Sequence, residues 1–242
     1  MSEAVPPTAT GRSYGRRFAS AFTLSAMNTL AWTALAVAAL AAVLDWYAVA
    51  RERTRLEYVA KPATLVLLIG VALALEPADA TQRAWWVGAL VFSLAGDVFL
   101  MLPGRFVPGL ASFLVAHLAY IAGFWLGPVG GTGPLEFLVA VLPVAVLAVV
   151  LGPRILAGAR AHDGRLVGPV ANYLVVICAM AASALLTGDP VAIAGAGLFF
   201  GSDAMIGFRN FVASKPWMDL AIITTYHVGQ ALLVLSLLPG PA

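Results

Sequence analysis

The chain has 242 residues, of which 61% are hydrophobic and 11% charged, with a formal net charge of +2 and a mean hydropathy of +0.92. Soluble domains carry about 25% charged residues, so this composition excludes a water-soluble globule and describes an integral membrane protein; no nucleic-acid partner is expected. The single cysteine, Cys178, excludes an intramolecular disulfide and reads as a small packing residue in an apolar run.

Residues 1–27 form a polar tail with Pro6, Pro7, Gly11, Gly15 and three arginines (Arg12, Arg16, Arg17), expected to be disordered. Residues 28–238 are expected to form a single transmembrane helical domain. A spanning helix needs about 17–25 apolar residues. Eight such segments are predicted, at roughly 28–49, 59–75, 84–102, 107–126, 135–151, 168–187, 190–208 and 217–238. The first is longer than a signal-peptide core, and Trp46-Tyr47 near its end suits an interface anchor, so it is read as a retained helix. The predicted fold is an all-α integral membrane bundle of about eight helices with an intramembrane polar cavity. All six tryptophans fall near predicted span ends, as an aromatic belt requires.

Lysine and arginine are unevenly divided between the two sides. Arg51, Arg53, Arg55, Lys61, Arg105, Arg154, Arg160, Arg165, Arg209 and Lys215 fall on one side, against the three tail arginines and Arg83 on the other. The positive-inside rule then places the odd-to-even loops in the cytoplasm and both termini outside, in a bacterial-type cell membrane.

Two aspartates interrupt these spans, Asp97 in the third and Asp203 in the seventh. A carboxylate at mid-bilayer costs about 2.5–3.5 kcal/mol on insertion scales, which makes each a candidate functional residue. The plainer alternative is that each bridges helices by hydrogen bonds. Asp97 precedes Pro103 by six residues and Asp203 precedes Arg209 by six, which puts both about 9 Å inside one membrane face. His117 and His227 enter from that face on the following spans, and Lys61 begins the second span there. The third and fourth spans thus resemble the seventh and eighth, a pattern that a parallel repeat would produce. Gly197-x-x-x-Gly201 offers a surface for close helix approach beside the second acid.

Set in order, these residues resemble the YhhN family of membrane proteins, the lysoplasmalogenases, over essentially the whole membrane region. The resemblance is carried by Lys61-Pro62, Ser93-x-x-Gly96-Asp97-x-x-Leu100-Met101, Phe113-x-x-x-His117-x-x-Tyr120, Tyr173, Met180, the run from Gly195 to Asp203, and Tyr226-x-x-x-Gln230. His227 departs from it, standing where a second aromatic is expected after Tyr226.

The resemblance implies hydrolysis of the vinyl ether bond of a lysoplasmalogen to a fatty aldehyde and a glycerophospho-alcohol, with an alkenyl ether lysophospholipid and membrane lipids as partners and no cofactor or metal. It implies Asp97, Asp203 and His117 as catalytic residues and Lys61, Tyr120, Tyr173, Tyr226 and Gln230 as substrate-binding ones. Vinyl ether cleavage needs a protonated acid and a carboxylate beside an oxocarbenium-like cation, a division of labour that two carboxyls in unlike surroundings provide. An apolar medium favours the uncharged form of a carboxyl. Lys61, at headgroup depth, is expected to meet the substrate phosphate or simply to snorkel to the interface. Two other functions fit the same residues. One is a proton-coupled transporter with Asp97 and Asp203 as carriers. The other is a metal-dependent hydrolase, although no tight metal-binding spacing such as HExxH is present.

Overall fold

The computed structural model describes residues 27–126 and 133–239. Its helices are α1 (Thr29–Ala50), α2 (Thr54–Ala74), α3 (Ala80–Met101), α4 (Phe106–Leu126), α5 (Pro134–His162), α6 (Val167–Thr187), α7 (Pro190–Phe211) and α8 (Met218–Leu235). All eight are long and apolar enough to cross a membrane, and the protein is an all-α, multi-pass membrane bundle. The tail expected over residues 1–27 lies outside the described residues except for Met27, which is buried.

Local chemistry sets several helix ends. Asn28 caps α1 by accepting from the Ala31 amide at 2.8 Å, and its own amide group donates to the carbonyl of Ala74 at the end of α2. Asp79 caps α3 by accepting from the Gln82 amide. Between α6 and α7, Gly188 takes the left-handed conformation (φ +68°) that releases α6. Asp189 then caps α7, and Pro190 occupies its first turn, where a missing N–H costs nothing.

α5 extends to His162, well past the predicted end near residue 151. Hydropathy falls after Gly152, but Ile155 and Ala159 keep one apolar face buried against Val170 and Phe211, so packing carries the helix outward past Pro153. α2, α3, α4, α6, α7 and α8 enclose the core, α1 packs on α2 and α8, and α5 packs outside α6 and α7.

Two expectations are corrected. Trp86 is fully buried and donates from Nε1 to the Leu233 carbonyl at 2.5 Å, so it belongs to the core rather than to an interfacial belt. Gly197 and Gly201 face open space; the close approach of α7 to α8 is made by Gly195 and Gly229 instead. A Cβ on Gly195 would lie 2.9 Å from the Leu233 amide nitrogen and 3.0 Å from the Gly229 carbonyl. Two residues along a helix is a turn of about 200°, which is why neighbouring glycines serve different faces.

Candidate active site

Asp97 ends the buried face of α3 and is 1% exposed. Lys61 reaches it from α2, with Nζ 3.2 Å from Oδ1, and the Tyr226 hydroxyl donates to Oδ2 from α8 at 2.8 Å. The lysine side chain is 15% exposed. The ammonium compensates a negative charge on Asp97, and the hydroxyl adds a charge-assisted hydrogen bond.

Asp203, on α7, is surrounded differently. The Tyr173 hydroxyl donates to its Oδ2 from α6 at 2.6 Å, and His117 Nε2 approaches the same oxygen from α4 at 3.2 Å. His117 Nδ1 lies 2.6 Å from the Phe113 carbonyl. A carbonyl only accepts, so Nδ1 carries a hydrogen, and in a neutral ring Nε2 is a lone pair. Two lone pairs would face each other unless a proton resides on Nε2 or on the carboxyl. The contact is not aligned as a hydrogen bond, and Nε2 has no other partner. Nε2 thus stands 3.2 Å from the Asp203 carboxyl without a hydrogen bond joining them.

The two acids are related by a four-helix shift. Asp97, on the third helix, is met from the second and the eighth; Asp203, on the seventh, is met from the sixth and the fourth. Advancing each helix by four exchanges the two sets, the relation a parallel repeat generates. The counterpart of His117 in this relation is Tyr226, not His227. The depths differ somewhat, since Asp97 lies four residues from the end of α3 and Asp203 eight from the end of α7.

Between the acids stands an aromatic partition. The Phe199 ring lies 4.6 Å from His117 and 5.3 Å from Tyr226, and Phe113 sits edge-on to both Phe199 and Tyr226. Tyr120 and Gln230 are engaged with each other: the hydroxyl donates to Gln230 Oε1 at 2.5 Å, and Gln230 Nε2 donates to Ser93 Oγ at 3.0 Å. This buried chain ties α3, α4 and α8 behind the acids.

A small apolar groove, with a cavity volume of about 50 Å³, opens between α4, α5, α6 and α7. Leu110, Leu151, Ile155 and Phe200 are among its walls, Cys178 also lines it, and Asp203 and Tyr173 supply its polar end. Asp97, Lys61 and His117 do not line it.

Two polar residues without a role in the sequence analysis also emerge. Ser93 lies within the third-span motif and completes the Gln230 chain. Asp45, on α1, is fully buried near His227, whose Nδ1 accepts from Trp46 Nε1. Trp46 thus points its indole N–H inward, not to the interface alone. The signal for Asp45 was the one that marked Asp97, a carboxylate inside a predicted span. Among the described residues, no three His, Cys, Asp or Glu side chains gather in a way that would hold a metal ion.

Eight apolar helices enclosing two partnered carboxylates define a multi-pass membrane protein with an intramembrane polar site. The chain belongs to the YhhN family, which it matches over residues 56–237. It is similar to the lysoplasmalogenase TMEM86B of Homo sapiens, with 36% identity over 64% of this chain and 63% of that protein. It is also similar to a lysoplasmalogenase of Mycobacterium tuberculosis (31%, over 71% and 66%) and to TMEM86B of Sus scrofa (30%, over 73% and 73%). The chain spans between 61% and 63% of the length of the human, rat and mouse TMEM86B proteins. No solved structure matches it.

Proposed function

We propose that this protein hydrolyses the vinyl ether bond of a lysoplasmalogen, releasing a fatty aldehyde and a glycerophospho-alcohol. The observation that carries the proposal is the unlike pairing of two buried acids, Asp97 beside an ammonium and Asp203 beside an imidazole, with Asp203 in the lining of an apolar groove. The names of the similar proteins point the same way.

The alkenyl chain occupies the groove, and the ether lies at its polar end beside Asp203. The proton held by Asp203 and His117 passes to the vinyl carbon remote from oxygen, leaving an oxocarbenium-like cation. Water adds to the carbon bonded to oxygen and gives up a proton, and the resulting hemiacetal separates into aldehyde and alcohol. The sum is one water consumed and no net proton. Asp203, left anionic, takes the proton from the attacking water and so regains its starting state. Asp97, ionised and held by Lys61 and Tyr226 beyond the aromatic partition, adds negative charge that favours the cation through space. Tyr173 orients Asp203, while Tyr120 and Gln230 fix the helices that carry the site. Lys61 acts first on Asp97, and its exposed fraction leaves it available to the substrate phosphate. The basic loops support a site toward the cytoplasmic leaflet, within a helical domain of residues 28–238.

Purified protein in detergent, incubated with lysoplasmalogen, is expected to release free aldehyde at a rate proportional to protein. Absence of release, together with proton flux into liposomes that depends on Asp97, would favour the transporter instead.

A further inference from the structure

Three buried polar atoms between α1 and α8 belong to neither acid site. Asp45 on α1 is 0% exposed, and neither carboxyl oxygen has a hydrogen-bond partner. His227 on α8 is also buried, and its Nε2 is likewise unpartnered. The other ring nitrogen, Nδ1, lies 3.2 Å from Trp46 Nε1. An indole N–H only donates, so Nδ1 is the bare nitrogen and the neutral ring carries its hydrogen on Nε2. That Nε2 faces Asp45 Oδ2 at 3.9 Å, just beyond direct hydrogen-bond reach.

Trp46 also holds His227 neutral. An imidazolium would need an N–H on Nδ1, pointing into the indole N–H. Asp45 therefore has no cation of its own. The charged groups nearest to it on other helices are Lys61 and Glu57 on α2 and Asp97 on α3, and from α8 it faces His227. A bare carboxylate in this apolar setting is strongly disfavoured, and a proton satisfies it. Lys61 meanwhile sits on Asp97. An ionised Asp45 competes with Asp97 for that single ammonium.

We propose that Asp45 and His227 form a separate proton-binding site, occupied by one proton between α1 and α8, whose emptying draws Lys61 away from Asp97. Proton binding stands on the geometry alone; its effect on turnover rests on the hydrolase proposed above. Asp45 is on this account a positioning residue, acting on Asp97 through Lys61.

The test uses the full chain in phosphatidylcholine liposomes, with infrared difference spectra recorded across pH with and without ¹³C-labelled aspartate. The expected result is a protonated-carboxyl C=O band that titrates, is lost in Asp45→Asn, is kept in Asp45→Glu and is displaced in His227→Gln. The same titrating band in Asp45→Asn overturns the proposal, as does its absence from the unmodified protein. If Asp45→Asn fails to fold, the unmodified protein, Asp45→Glu and His227→Gln still decide the question. In the aldehyde assay, the alkaline limb of the pH profile should move upward by about one unit or more in Asp45→Asn, because asparagine cannot compete for Lys61. An unmoved limb overturns the link to Lys61. An unmodified protein that binds the proton but releases no aldehyde counts against the hydrolase and upholds the proton site.

Discussion

Tyr226 and His117 stand in the same relation to opposite acids: the Tyr226 hydroxyl donates to Asp97 at 2.8 Å, and His117 Nε2 approaches Asp203 at 3.2 Å. A phenol can only give its hydrogen to a carboxylate at neutral pH, whereas an imidazole can take one from a carboxylic acid. The two halves of the bundle thus offer equivalent positions filled by chemically opposite groups. In the proposed mechanism, that difference divides the acids between charge stabilisation and proton delivery.

Asp97→Asn and Asp203→Asn should each lower aldehyde release at least several hundredfold while leaving the helical content unchanged. Asparagine keeps the shape but supplies neither a proton nor an anion, and loss of one preorganised transition-state charge costs about 3–4 kcal/mol. Rates are compared at equal protein, with circular dichroism as the control for folding. Normal turnover by either variant removes that acid from the mechanism.

Lys61→Met should destabilise the protein by about 3–5 kcal/mol, because it strands the charge of Asp97 in the interior. Adding Asp97→Asn should restore much of that loss, since the stranded charge is then gone. Unfolding measured for the two single variants and the double variant closes the cycle. Strict additivity would mean that the 3.2 Å pair does not couple in solution.

Tyr173→Phe and Tyr226→Phe each delete one hydrogen bond to a buried acid, worth about 1.5–3 kcal/mol. Each should slow turnover by about one to two orders of magnitude, with a smaller effect on the apparent KM. Full activity in Tyr173→Phe would show that His117 alone orients Asp203.

The groove makes a prediction of chain length. Ala204 is one of its lining residues, and Ala204→Phe fills space that a long alkenyl chain needs. The variant should raise the apparent KM for long-chain substrates by about tenfold or more, as a loss of roughly 1.4 kcal/mol or above requires, and should spare short-chain ones. Equal effects on both would place the chain elsewhere.

The membrane class, the helix count and both central acids were legible in the chain, for physical reasons. Spanning segments need long apolar runs, and Asp97 and Asp203 stand out because nothing near them in sequence is charged. The pairings were not legible. Tyr173 meets Asp203 across 30 residues and Tyr226 meets Asp97 across 129, and helical periodicity carries no information about contacts between distant helices. The position of Lys61 near a span start marks its depth but not its direction, so its pairing with Asp97 is not legible there. Asp45 is hidden in the sequence because it adjoins Trp46-Tyr47, whose aromatic character reads as an interface, although one of those rings turns inward to His227. The extension of α5 was hidden for the reverse reason: Arg154 and Arg160 mark the end of apolar sequence, while Ile155 and Ala159 keep the helix packed.

Packing at the α7–α8 contact offers a check on the fold itself. Gly195→Ala should lower stability by about 1–3 kcal/mol, because the added methyl meets backbone that cannot move aside. Gly197→Ala, which meets nothing within 4 Å, should stay within about 0.5 kcal/mol of the parent. Thermal unfolding in detergent separates the two.

The central claim is that Asp203 and His117 deliver a solvent-derived proton to the vinyl carbon. Turnover of lysoplasmalogen in D₂O, with the released aldehyde read by mass spectrometry, tests it most directly. The aldehyde should carry one deuterium on the carbon next to its carbonyl, and Asp203→Asn should form almost none. Aldehyde released without that deuterium would contradict the account.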